Sequence, residues 1–164
     1  MKRFMPLLLG LVVGVTIAAT LPASGNGRDV FRSDLIGTPG ANRPVRTVNS
    51  GGVPWVVSAG SDTRLTGDGR LRADIRGLLI TGTGGALDGT TGPVTQVVAA
   101  LTCTNATTGD TGAPTIVATA AAPLSAAGNA RIDERITVPE PCIAPIVLIR
   151  ANSAAGPWIA GSGF

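Results

Sequence analysis

Hydrophobic and polar residues alternate in short runs along most of the chain after Val53. The runs are rich in Val, Ile, Thr and Ala, and Gly, Pro, Asn and Asp separate them. None has the spacing of an amphipathic helix, so the pattern predicts an all-β protein. Eight strands are expected, near residues 53–59, 61–66, 70–80, 94–104, 115–124, 130–138, 143–150 and 157–163. Eight short strands in this length are typical of an Ig-like antiparallel β-sandwich.

The stretch RLTGDGRLRADIRG, residues 64–77, predicts a hairpin with one apolar and one charged face. A three-residue turn at residues 67–69, with Gly69 in the left-handed region, places Leu65 opposite Leu71. This register turns one set of side chains inward and the alternate set outward. The inward set is Leu65, Leu71, Ala73 and Ile75, and the outward set is Asp62, Arg64, Arg72, Asp74 and Arg76. Like charges then face each other, so we expect diagonal pairs between Arg64 and Asp74 and between Asp62 and Arg72.

The same motif occurs a second time, because LTGDGRLRADIR (65–76) aligns without a gap on LSAAGNARIDER (124–135). We expect a second hairpin with Gly128 in the left-handed position and Arg131, Asp133 and Arg135 outward. In this copy Glu134 takes the place of the inward Ile75. Its carboxylate is expected either to be paired at the rim of the sandwich or to have a raised pKa in a pocket.

The outward arginines have two interpretations. Exposed charge on a strand often only keeps the strand soluble and its register fixed. Alternatively, the guanidinium groups form a binding face for an anionic envelope polymer or for another extracellular protein, because arginine binds carboxylates and phosphates. The candidate residues of this face are Arg70, Arg72, Arg76, Arg131 and Arg135.

The first residues have the order of a secretory signal peptide: two cationic residues, a long apolar run and a small-residue segment. We expect residues 1–25 to be the signal peptide, residues 26–52 a polar linker or tail, and residues 53–164 the sandwich domain. The protein would then be secreted, extracellular or envelope-associated, with no stable membrane span after cleavage. An uncleaved anchor is the alternative, although proline and glycine within the run disfavour a spanning helix.

Charge and cysteine content narrow the class of protein. Cleavage would remove Lys2 and Arg3 from the 13 cationic residues, leaving 11 arginines against 10 acidic residues. A net charge near +1 gives no general attraction to nucleic acid or to an anionic membrane. Cys103 and Cys142 are expected to form a disulfide, since the predicted strands run up and down and bring both to the same end. A zinc site is the alternative, but two cysteines without histidine make a poor cage.

The residues needed for most catalysis are missing. The chain has no histidine, and after residue 25 it has no lysine or tyrosine, so we expect no enzyme and no cofactor. A hydrolase that uses only carboxylates, such as Asp133 or Glu134 with Asp74, is an alternative. Trp55 and Trp158 each follow a proline and are expected to be core or edge anchors, the alternative being an exposed ligand platform.

The run GSDTRLTGDGRLRADIRGL, residues 60–78, resembles the first hairpin of CHRD-type extracellular domains, although the histidine region of those domains has no counterpart. In Ala, Gly and Thr content the chain is similar to the secreted Ig-like carriers of chromoprotein antibiotics. That resemblance implies a small-ligand carrier as an alternative function. Neither resemblance assigns a site residue, so the leading expectation is a secreted, non-enzymatic binding or structural module that acts through its arginine-bearing strand face.

Overall fold

The computed structural model describes residues 27–41, 43–104 and 114–162. This part of the chain contains twelve β-strands and no helix, which confirms the expected all-β class. The strands are β1 (Asp29–Asp34), β2 (Ile36–Gly37), β3 (Trp55–Val56), β4 (Asp62–Thr66), β5 (Arg70–Ile75), β6 (Leu79–Ile80), β7 (Gln96–Thr104), β8 (Thr115–Ala118), β9 (Ala122–Pro123), β10 (Ala130–Arg135), β11 (Ile143–Ala151) and β12 (Trp158–Ser162).

These strands form two main sheets in which every pairing is antiparallel. We call β1-β4-β5-β10 the charged sheet and β2-β12-β11-β7-β8 the covered sheet; β9 also pairs with β7, and β3 with β6 forms a small separate pair. Apolar side chains of both sheets meet in one core, to which Leu71 and Ile75 of β5 and Val97 and Leu101 of β7 contribute. Two antiparallel sheets around a shared core are consistent with a β-sandwich.

The β4–β5 hairpin has the expected register. Leu65 lies opposite Leu71, and Gly69 adopts the left-handed conformation with φ 82°. A Cβ on Gly69 would lie 2.4 Å from the carbonyl oxygen of Ile136, so both the turn and the neighbouring chain require glycine here. The alternate residues Ala73 and Ile75 are buried in the core, as the alternation predicts.

The second copy of the motif lies on β10, which pairs with β5, the strand that carries the first copy. The expected second hairpin is therefore wrong, because β9 pairs with β7 and the turn at residues 125–129 carries the chain from one sheet to the other. Gly128 nevertheless has the expected left-handed backbone, with φ 75°. The equivalent residues Ala73 and Ile132 face each other, so a local two-fold axis passes between the two copies.

The expected disulfide is present and belongs to the covered sheet. Cys103 lies on β7, and Cys142 precedes β11, the antiparallel neighbour of β7. The two cysteines are therefore at the same end of adjacent strands, with their Cα atoms 4.9 Å apart. The disulfide is confirmed, together with the expected opposite directions of these strands.

Residues 43–51, which we call the strap, lie across the outer face of the covered sheet. Val48 of the strap is buried and packs against Leu148 of β11 and Trp158 of β12. The backbone of Trp158 is bonded from both directions, since its carbonyl accepts the N–H of Gly51 and its N–H donates to the carbonyl of Asn49. The strap therefore covers apolar side chains that would otherwise face water.

Arg46 fixes the middle of the strap. Its guanidinium donates to the Thr102 hydroxyl at 2.8 Å and to the Ala144 carbonyl at 2.5 Å. Thr102 lies on β7 and Ala144 on β11, so one side chain joins the strap to two strands of the covered sheet.

The segment 26–52, expected to be a polar linker or tail, contains β1, β2 and the strap from residue 27 onward. β1 pairs with β4, and β2 pairs with β12. The folded unit therefore extends upstream of Val53. Each piece of this segment is short and gains its stability from partners distant in sequence, so its composition alone looked irregular.

The expected signal peptide, residues 1–25, lies outside the described residues. Within the described ranges, no helix is long and apolar enough to cross a membrane.

Candidate functional site

The outer face of the charged sheet carries charged side chains in rows that cross its strands. In one row Asp34, Asp62 and Asp74 lie opposite one another and Arg131 completes the row on β10. In the next row the order is Arg32, Arg64, Arg72 and then Asp133. We call the charged face the set Arg32, Asp34, Asp62, Arg64, Arg70, Arg72, Asp74, Arg131, Asp133 and Arg135.

Asp62 is shared by two arginines. Its Oδ2 lies 2.9 Å from Nε of Arg64 on the same strand and 3.3 Å from Nη2 of Arg32 on β1. The expected diagonal pairs, Arg64 with Asp74 and Asp62 with Arg72, are therefore wrong. Asp62 and Arg64 are two residues apart on β4, so their side chains point to the same face and can pair. Arg32 lies on β1, a strand that is not part of the hairpin from which the diagonal pairs were expected.

Asp133 is shared in the same way. Arg70 binds both of its carboxylate oxygens, at 2.5 Å through Nε and at 2.7 Å through Nη2, and Arg72 approaches at 3.3 Å. The hydrogen bonds from Arg70 hold the pKa of Asp133 below its ordinary value. Arg70 and Arg72, two of the five candidate arginines, therefore already have a carboxylate partner.

Arg135 is the third candidate arginine with a partner. Its Nη2 lies 2.7 Å from Oδ2 of Asp68, at the tip of the β4–β5 hairpin. The Thr66 hydroxyl also donates to Asp68, and this hydrogen bond is the main cause that lowers the pKa of the Asp68 carboxyl. The bridge joins the tip of the hairpin to the end of β10.

The two remaining candidates, Arg76 and Arg131, come together at the other end of the β5–β10 pair. Neither guanidinium has a carboxylate within 4.0 Å among the residues that the structure describes. Both line an open depression of about 740 Å³, which we call the arginine depression. Asp74, Ser125 and Asn129 also line it, and its other lining residues are apolar, so the wall combines two cations, one anion and polar groups with an apolar part.

Glu134 has a definite role in the fold. It lies opposite Leu71 on the inner side of β10, and its Oε2 accepts the backbone N–H of Ala120 at 2.7 Å. The carboxylate thus ties β10 to the turn between β8 and β9, where an inward charge must find a partner. The hypothesis of an acid with a raised pKa at this position stays a prediction.

Both tryptophans are buried. Trp55 is part of the main core, and Trp158 packs with Val48 and Leu148 beneath the strap. The indole N–H of Trp158 donates to the Arg43 carbonyl at 2.8 Å. These positions agree with the expected role as anchors.

Asp88, an acidic residue outside the charged face, serves local structure. Asp88 accepts hydrogen bonds from the backbone N–H groups of Thr83 and Gly84 and from the Thr83 hydroxyl, so it holds its own loop. Within the described ranges, no cluster of three or more His, Cys, Asp or Glu side chains could hold a metal ion.

Arg32 and Asp34 belong to the charged face but were not among the sequence candidates. The composition of their segment predicts a linker, although period-two alternation is also present in it. Arg32 and Asp34 are exposed, whereas Phe31 and Leu35 are partly or fully buried. Period-two alternation over only five residues is the signal that could have identified them.

Comparison with known proteins adds no functional assignment. No protein-family model, no curated protein and no solved structure matches the sequence. The functional conclusion therefore rests on the side chains of the charged face and of the arginine depression.

Proposed function

We propose that this protein is a secreted, non-enzymatic binding module that contacts an anionic polymer of the extracellular space or cell envelope through the arginine depression. The observation that carries this proposal is the pairing state of the five candidate arginines. Arg70, Arg72 and Arg135 are held by carboxylates, whereas Arg76 and Arg131 line a depression without one.

The unpaired guanidiniums are the better binding groups for a physical reason. An arginine in an ion pair must give up its partner before it can bind a new anion, so little free energy is gained. An arginine without a partner gains charge-assisted hydrogen bonds to a carboxylate, sulfate or phosphate, often in bidentate geometry. Asp74 lies in the same wall and would repel a dense block of negative charge. It would therefore favour polymers whose anionic groups are spaced apart.

Under this proposal, the arginines that already have a carboxylate partner stabilise the charged sheet and do not bind the ligand. They fix the strands of the charged sheet relative to one another, because Asp62 links β1 to β4 and Asp133 links β5 to β10. The ligand would therefore meet a preformed surface. Preorganised groups lose less conformational entropy on binding than mobile ones.

Export is part of the proposal. It is supported by the apolar N-terminal run with its cationic start, and by a disulfide of the kind that forms in oxidising compartments. N-terminal sequencing and the intact mass of protein recovered from culture medium would test it. A mature chain that begins near residue 26 with an oxidised disulfide is expected, and a retained N-terminus would contradict cleavage.

A hydrolase that uses only carboxylates is less well supported. Asp133 is occupied by Arg70 and Arg72, and Glu134 by a backbone N–H. A binding role, which needs no free general base, fits these contacts better.

The binding proposal is tested by retention on immobilised polyanions, one carboxylated (polygalacturonate) and one sulfated (dextran sulfate), at low ionic strength. We expect retention that is released as NaCl is raised, because exposed charge pairs are screened by salt. The double variant Arg76→Gln/Arg131→Gln should lose most of this retention on at least one of the two supports.

The matched control is Arg28→Gln/Arg43→Gln, which removes the same charge from exposed positions outside the charged face. It should elute close to the unmodified protein. Equal loss of retention in the two double variants would mean that only net charge matters, and absence of any retention would contradict the proposal.

A further inference from the structure

A second cavity lies away from the charged face, at the end of the sandwich where the loop of residues 81–92 meets the start of the strand β3. Its volume is about 340 Å³. The side chains that form its wall are apolar: Val53, Trp55, Ile80, Leu87, Val94 and Ile159. Pockets of roughly 300–1,000 Å³ lined mainly by apolar side chains are the usual form of small-molecule sites.

The cavity wall carries no charge. Asn152 supplies its polar side chain, and the Asn152 Oδ1 already accepts the backbone N–H of Thr95 at 3.1 Å. A charged ligand would lose its hydration without finding a counterion here, which disfavours ions and zwitterions.

Trp55 supplies a polar group without a partner. The residue is only 5% exposed, and its indole N–H donates to no group in the described part of the chain. No side-chain nitrogen or oxygen in that part is both fully buried and unpartnered, so the indole nitrogen reaches an accessible surface. A methyl group on Gly51, which also lines the cavity, would lie 3.4 Å from this nitrogen. The N–H therefore lies beside Gly51, another residue of the cavity wall.

Leu87 lies at the mouth of the cavity, on a loop that hydrogen bonds hold in one conformation. Asp88 accepts three hydrogen bonds from Thr83 and Gly84, and these bonds lower the pKa of its carboxyl, the Thr83 hydroxyl contributing most. The loop is also joined to β6, since Ile80 N–H donates to the Thr90 carbonyl. Leu87 is 46% exposed although it lines the cavity, which is the position of a side chain at a mouth.

From these contacts we propose that the cavity binds a compact, uncharged and mainly apolar molecule that directs one hydrogen-bond acceptor at the Trp55 indole N–H. The apolar wall supplies the affinity through burial of ligand surface. The indole N–H supplies orientation, because it is a donor without a protein partner in the described part of the chain and a ligand acceptor can bond to it. None of the residues involved belongs to the charged face, so this site is independent of the proposed function.

The probe for this site is prodan, a neutral two-ring ketone whose fluorescence shifts to the blue in apolar surroundings. We expect saturable binding with a blue shift that NaCl leaves unchanged. Leu87→Asp should weaken binding by about tenfold or more, because it puts a carboxylate at the apolar mouth. The matched control is Ile143→Asp, since Ile143 is 45% exposed and lies at the end of β11 opposite to Ala151, the residue of this strand that lines the cavity. The charge change is the same, and the affinity should stay within about twofold, as for other distant surface changes.

A second variant tests the hydrogen bond. Trp55→Phe keeps an aromatic wall but removes the N–H, and a weakening of about two- to tenfold is expected from the loss of one hydrogen bond. If Leu87→Asp does not fold, as judged by loss of its cooperative thermal transition, Leu87→Ser takes its place with an expected weakening of about threefold. Absence of saturable binding, or equal effects at Leu87 and Ile143, would overturn the proposal.

Discussion

The outer faces of the two sheets are made compatible with water in opposite ways. The charged sheet carries arginine and aspartate on its outer face and has no element lying over it within the described residues. The covered sheet carries apolar residues such as Leu148 and Trp158 on its outer face, and the strap lies over them. One layer is thus made compatible with water by its side chains, and the other by a further piece of chain.

This difference explains why the strands of the two sheets have different patterns of apolar and polar residues. β5 alternates strictly between buried residues and charged ones, whereas every residue of β7 after Gln96 is buried. A strand that is apolar on both faces requires cover on both faces. The strap covers part of this sheet by packing on Leu148 and Trp158 and by binding Thr102 of β7, and it comes from a segment that has no long apolar run of its own.

The largest expected effect concerns the covered sheet. Replacing Cys103 and Cys142 by serine should lower the free energy of unfolding by about 4 kcal/mol, because the unfolded chain regains the entropy of a loop whose ends are 39 residues apart. Urea unfolding of the two proteins at neutral pH measures the difference. Reduction of the unmodified protein should produce a similar loss, and a loss under about 1 kcal/mol would contradict the assignment of the disulfide as a main stabilising element.

A smaller effect is expected at the strap. Val48→Ala removes buried apolar surface against Leu148 and Trp158 and should lower the free energy of unfolding by about 2 kcal/mol.

Arg64→Ala on the charged face should lower the free energy of unfolding by at most about 1 kcal/mol, since exposed ion pairs contribute little. Chemical denaturation measures both.

The control for the strap is Val56→Ala, the same substitution at a residue that is 45% exposed. It should change stability by no more than about 0.5 kcal/mol. Should Arg64→Ala prove more damaging than Val48→Ala, the contrast between a covered and a charged layer would be reversed.

The smallest effect is the pH dependence of the charged face. The pKa of Asp133 in the folded protein lies below its ordinary value of 3.8, so its ionised form stabilises the fold above that value. This contribution is lost as the pH falls through the lowered folded pKa. Stability should therefore decline as the solution is acidified below about pH 4.

Asp133→Asn removes this titration. The variant should be slightly less stable than the unmodified protein at neutral pH and should lose less stability on acidification, because Arg70 and Arg72 then have no carboxylate to lose. Thermal unfolding across the acid range measures both slopes. Identical slopes would show that Asp133 does not contribute, leaving Asp68 and Asp88, whose pKa values are also lowered.

Local sequence was sufficient for part of this structure. Alternation and a glycine turn predicted the β4–β5 hairpin with Leu65 opposite Leu71, and the positions of Cys103 and Cys142 predicted the disulfide. In both cases the deciding interaction is either close in sequence or fixed by covalent chemistry.

The parts that were missed depend on contacts distant in sequence. The Asp62 carboxylate is bound by Arg32 from β1, a strand hidden in the expected linker, and β10 pairs with β5 instead of with the strand just before it. The cavity around Trp55 draws its wall from segments far apart in the chain. No local propensity encodes which strand becomes the neighbour of another.

The local two-fold axis between β5 and β10 has a consequence for register. The units Arg72-Ala73-Asp74 and Arg131-Ile132-Asp133 have the same order of charges. When they pair antiparallel, opposite charges meet, so Arg72 faces Asp133 and Asp74 faces Arg131. A slip of two residues would keep the apolar side chains inward, but it would set Arg72 against Arg131 in one direction and Asp74 against Asp133 in the other. The repeated charges thus disfavour a misalignment that hydrophobic alternation alone permits.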